Sequence, residues 1–130
     1  MEVPQKRDFF RYYSTIMGLK IAIQGIKGSN HHQVAIDYYG ECIELVECLT
    51  FHGLVDQLLA GTADKGIMAI ENSIAGSIIP NYALVYDNGL HIIGEQYLNI
   101  HHHLMVLKGQ GLNDIQEVRS HPMALLQCRV

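Results

Sequence analysis

Tryptophan is absent from these 130 residues, only 17% of them are charged, and no run of about 18 apolar residues could cross a bilayer as a helix. No membrane partner is therefore expected. Basic residues are also scarce: 9 Lys and Arg stand against 13 Asp and Glu, for a formal net charge of -4, and they form no cluster. That balance argues against nucleic acid, where a basic face supplies most of the affinity. Cys42, Cys48 and Cys128 are odd in number and irregularly spaced, without C-x-x-C, so neither a disulfide framework nor a zinc ribbon is indicated. Reduced thiols and a cytoplasmic location are the expectation.

What is present is enough for one domain or one lobe with a real core, since 48% of the residues are hydrophobic. The opening MEVPQKRDFFRYYSTIMG lacks the continuous apolar region and the small-residue cleavage site of a secretory signal. Met17 precedes the first strand by two residues. Residues 1–18 are thus read as an unassigned extension, with residues 1–16 an upstream segment or alternative start that is poorly ordered.

Strands and helices alternate three times. Leu19 to Gln24 is a short apolar strand, Gly25 to Asn30 a glycine-bearing loop, and His31 to Tyr39 a helix with Val34, Ala35 and Tyr38 on one side. An extended stretch, Ile43 to Cys48, precedes Thr50, which can cap a helix bearing Phe51, Leu54, Val55, Leu58 and Leu59 at helical spacing and ending at Gly61. A third strand, Gly66 to Ile70, leads to a helix at about Ile78 to Tyr86 that stops at Asp87-Asn88-Gly89. The pattern predicts an α/β fold with a mainly parallel sheet and right-handed crossovers. Its expected core is Ile21, Ile23, Leu54, Val55, Leu58, Ile67 and Ile70. Leu90 to Gly94, Tyr97 to Leu107 and Glu117 to Ser120 read as further extended segments, and Pro122 opens a helix that runs to the last residues. Around Leu125 and Leu126 that helix offers an apolar face suited to self-association.

The most pointed stretch is AIENSIAGSI, residues 69 to 78, where a hydrophobic strand empties into Glu71, Asn72, Ser73, Gly76 and Ser77 just before a helix. Such an edge offers backbone N–H groups and the positive end of a helix dipole to a small anion. Ser or Asn serving merely as a helix cap is the plain alternative. In series with IAIQGIKGSNHHQVA (21–35), GEQYLNIHHHL (94–104) and VRSHPMALLQC (118–128), this element resembles the amino-terminal lobe of prephenate dehydratases, from about Leu19 to the last residue.

The resemblance implies a lyase that converts prephenate to phenylpyruvate, water and carbon dioxide, with no redox cofactor or metal. It also implies a lobe like that of a type II periplasmic binding protein over residues 19–130. By the same resemblance a second lobe follows; it is missing or truncated here, so a homo-oligomer or a separate chain that supplies that lobe is the expected partner. The enzyme must hold two anions and give a proton or hydrogen bond to the leaving hydroxyl. Gly25, Gly28, Ser29, Asn72, Ser73, Gly76 and Ser77 are the substrate-binding candidates, and Lys27 can add a positive charge. His121 is either a general acid or the cap of the following helix. Glu71 reads as structural, its oxygens accepting backbone N–H groups. On a strand, His101 and His103 share a face opposite to His102, so a structural or rim role is preferred over metal binding, and Cys128 reads as packed. The family's threonine-arginine motif is absent, as is its regulatory ACT domain, so the catalytic residues are unassigned. A noncatalytic anion-binding or regulatory module is the competing reading, and a His-rich metal binder a third.

Overall fold

The computed structural model describes residues 18–74 and 76–128. The expected disorder of residues 1–16 lies outside them. The chain divides into two compact units, Met1–Leu98 and Asn99–Val130, and the sheet belongs to the first.

Strand β1 (Lys20–Gln24) is flanked by β2 (Glu44–Cys48) and β3 (Lys65–Ile67), both parallel to it, in the order β2-β1-β3. The central strand is buried on both faces, which is why its apolar run is nearly continuous. Ile21 and Ile23 pack with Ala35, Tyr38 and Tyr39 of helix α1 (Asn30–Tyr39). Ala22, on the other face, packs with Leu54 and Val55 of helix α2 (Phe51–Leu59). The α2 face of the sheet is made of small residues, because Ala22 lies beside Gly66 in the ladder and the helix comes close. A Cβ at Gly66 would sit 2.9 Å from Leu54 Cδ2 and 3.1 Å from Leu58 Cδ1. Asp64 closes the start of the ladder: its carboxylate accepts from the Lys20 N–H at 2.8 Å, and its own N–H donates to the Lys20 carbonyl.

Helix α2 has the start and the cap read from the sequence, with Thr50 Oγ1 accepting from the Gly53 N–H at 3.0 Å, and it ends at Leu59, ahead of the expected Gly61. Its core stripe is narrower than expected. Leu54 and Val55 are buried and Leu58 half-buried, but Leu59, at the last turn, is 56% exposed. Ile67 and Ile70 are also half-buried rather than core. The third strand is shorter than Gly66 to Ile70 because β1 offers it partners only from Ile21 to Ile23. Beyond Ile67 the chain is held instead by helix α3 (Ile79–Asp87), whose buried Asn81 donates through Nδ2 to the Ala69 carbonyl at 2.7 Å.

The expected extended segments at 90–107 and 117–120 form no ladder among the described residues, since no neighbouring strand there supplies hydrogen-bond partners. Gly94 does have a clear structural reason. Its backbone runs against the Tyr38 ring, and a Cβ there would lie 3.0 Å from Tyr38 Cζ. In the second unit a short 3-10 turn (Leu112–Asp114) precedes helix α4 (Pro122–Gln127), with Pro122 in its first turn as read from the sequence. Leu125 and Leu126 are 41% and 43% exposed.

Candidate functional site

Gly25, Gly28 and Ser29 come together in the turn from β1 to α1, at the carboxyl edge of the sheet. Gly25 and Gly28 take φ of +108° and +91°, which a residue with a Cβ resists. Ser29 caps α1: its Oγ accepts from the His32 N–H at 3.3 Å, and its N–H donates to the Ile26 carbonyl. Two further bonds tie the turn down. The Gly28 N–H donates to His32 Nδ1 at 2.9 Å, and the Lys27 N–H to Glu47 Oε1 at 2.7 Å. The first turn of a helix has four N–H groups without intrahelical acceptors, and Ser29 takes one of them. The remainder, with the helix dipole, suit a small anion.

The second cluster differs from its expected form. Instead of opening straight into a helix, residues 71–77 fold back as a two-stranded antiparallel hairpin, β4 (Glu71–Asn72) on β5 (Gly76–Ser77). Asn72 pairs with Gly76 and Glu71 with Ser77 across the ladder. Asn72 Oδ1 accepts from the Ile74 N–H at 2.9 Å, a local turn that brings Ser73 to the exposed tip. Neither Ser77 nor Asn72 caps α3, whose N-cap is Ile78 with no side-chain bond. Glu71 is exposed, and its carboxylate accepts no backbone N–H among the described residues, contrary to the role read for it.

His121 belongs to the second unit and caps α4, its Nδ1 accepting from the Met123 N–H at 3.2 Å. The capping alternative thus describes its position. His102 Nε2 lies 2.7 Å from Gln127 Oε1, a strut between the histidine run and α4. His101 and His103 are exposed, and so is Cys128.

Three further residues shape the neighbourhood. Asn81 is 3% exposed and bonds the chain just ahead of the hairpin. Its signal was available: it shares the helical stripe of Leu84 and Val85, where a polar residue needs a partner. Cys48, at the end of β2, is buried, and burial pushes its thiol pKa up, so the group is held as an inert thiol. His31 lies in the first turn of α1, edge-on to Phe51 at 5.6 Å between ring centroids. Its buried Nε2 has no hydrogen-bond partner among the described residues. Burial lowers its pKa, against a smaller raising effect of the Gln24 backbone. Tyr39, the last residue of α1, is pushed up to about 12 by burial and by Tyr38 beside it.

A family model for prephenate dehydratase matches residues 21–130. This chain belongs to the prephenate dehydratase family. It is 38% identical over 110 residues to arogenate dehydratase 2 of Petunia hybrida, covering 85% of this chain and 28% of that protein. To arogenate dehydratase/prephenate dehydratase 2, chloroplastic, of Arabidopsis thaliana it is 36% identical over 110 residues, 85% of this chain and 29% of the relative. To the bifunctional chorismate mutase/prephenate dehydratase of Enterobacter agglomerans it is 39% identical over 112 residues, 84% of this chain and 29% of the relative. The chain thus spans less than a third of the length of these relatives. No solved structure matches it. The dehydratase-family match includes both glycine- and serine-bearing turns and the Ser120-His121-Pro122 element.

Proposed function

We propose that this chain carries substrate-binding elements of a dehydratase that aromatizes prephenate to phenylpyruvate, releasing water and carbon dioxide, in phenylalanine biosynthesis. The single observation behind this reading is the family match from residue 21 to residue 130. Arogenate, named for several relatives, is the alternative substrate of the same chemistry. Loss of the ring hydroxyl and of the carboxylate as carbon dioxide leaves an aromatic ring, so the protein has chiefly to bind, orient and donate a hydrogen bond. The turn at Gly25, Gly28 and Ser29 and the hairpin at Asn72, Ser73, Gly76 and Ser77 hold the substrate's anionic groups in this reading. A cytoplasmic location, supported by three free thiols, belongs to it too, as does assembly with a second copy.

The threonine-arginine motif absent from the sequence makes these 130 residues an incomplete active site in this reading. Phenylpyruvate formation from prephenate at neutral pH, read against the acid-catalysed background, tests it. The purified chain is expected to turn over prephenate far more slowly than a full-length relative, with activity restored by fusing the remainder of the domain. Full-rate turnover by the chain alone overturns the half-site reading. A fused protein without activity overturns the dehydratase reading and leaves the anion-binding module in its place.

A further inference from the structure

A cavity of about 430 Å³ lies beside the free edge of β2, within the size range of small-molecule sites. Two periodicities build it. Ile43, Leu45 and Glu47 alternate along the chain through β2, so their side chains share one face. His32 and Ile36, four residues apart on α1, share one helix face. Ile36, Ile43 and Leu45 give an apolar floor, and Ile43 and Leu45 continue into the core under α1.

The polar groups gather at the carboxyl end of β2. Lys27 reaches this wall, and its ammonium has no ion-pair partner among the described residues. Glu47 is anchored through Oε1 by the Lys27 N–H, which leaves Oε2 to accept a further bond. His32 Nδ1 already accepts from the Gly28 N–H, so the neutral ring carries its proton on Nε2 and serves as a donor. Glu41 stands at the opposite end, before β2 begins. One cation, one fixed carboxylate and one neutral donor beside an apolar floor complement a ligand with both charges on one carbon and an aliphatic tail.

We propose that this cavity is a binding site for a zwitterionic α-amino acid with an apolar side chain. Its ammonium meets Glu47, its carboxylate meets Lys27 and His32, and its side chain lies over Leu45, Ile36 and Ile43. The site borders the turn assigned to prephenate, with which it shares Lys27, and extends from there along β2, away from the hairpin.

The experiment is a titration of the 15N-labelled full chain with L-leucine, followed by amide shifts. The controls are 4-methylpentanoate, which lacks the ammonium, and 3-methylbutylamine, which lacks the carboxylate. L-leucine is expected to shift amides lining the cavity with a dissociation constant of about a millimolar, and each control to bind at least about tenfold more weakly. Glu47→Gln keeps an acceptor for the Lys27 N–H, and Lys27→Met leaves that N–H in place. With β1 amides unmoved as the check on folding, each variant should weaken L-leucine about fivefold or more. No shifts at the cavity, controls that bind as tightly as L-leucine, or variants that bind it unchanged would overturn the proposal.

Discussion

β1 and the stretch from Tyr97 to Leu107 are both apolar segments that read as strands, yet only one of them enters a sheet. β1 has a parallel neighbour on each side, and Ile21, Ala22 and Ile23 are fully buried between two helices. Tyr97 to Leu107 has no ladder among the described residues, and Ile100, Leu104, Met105, Val106 and Leu107 are 42% to 88% exposed. Strand-like composition is therefore not enough. A strand exists where partners accept its backbone hydrogen bonds and a helix covers its apolar face.

Deleting side chains from the two regions should separate them most widely. Leu54→Ala removes a residue 1% exposed that touches the sheet, and should cost about 2 to 5 kcal/mol in urea denaturation. Leu107→Ala, at a residue 76% exposed, should change stability by less than about 0.5 kcal/mol. Equal costs would mean that the second region is packed as the first is. A smaller loss is expected for Asn81→Ala, about 1 to 3 kcal/mol, because the Ala69 carbonyl loses its donor where the third strand gives way to the hairpin. A neutral result in the same denaturation would show that α3 does not hold this strand end.

Legibility followed the same division. The three strands of the parallel sheet, the start of α2, the Thr50 cap and the Pro122 helix start were written in local patterns, because each depends on residues close in sequence. The hairpin at 71–77 was not, because its two-residue strands are too short to show alternation and its turn is set by Asn72 bonding to Ile74. The exposure of Leu59 was equally hidden, since α2 is only nine residues long and nothing in the stripe says where the sheet beneath it ends. Within the candidate site, the glycines and Ser29 were legible as turn and cap. The unpartnered Nε2 of His31 depends on Phe51, twenty residues away, and had no sequence signal.

The smallest expected effect is a pH dependence confined to the folded region. The pKa of His31 is lowered on folding from its ordinary 6.5, so below about that pH the unfolded chain binds a proton that the folded chain declines. Its contribution is fully present above pH 6.5 and is lost as the pH falls toward the lowered value. Chemical denaturation at several pH values should show a shallower loss below 6.5 for His31→Asn than for the unaltered chain. Identical slopes would mean that the ring takes up its proton freely in the folded state.

A titration of the labelled chain with prephenate, read residue by residue, addresses the functional reading most directly. The expected result is amide shifts concentrated in the turn at Gly25 to Ser29 and the hairpin at Asn72 to Ser77, weak in affinity because the helix terminus behind Ser29 contributes only about 0.3 to 1 kcal/mol at an exposed site. Ser73→Ala or Asn72→Ala should weaken binding further. Shifts absent from both segments at concentrations that saturate a full-length relative would contradict the assignment of the substrate site to them.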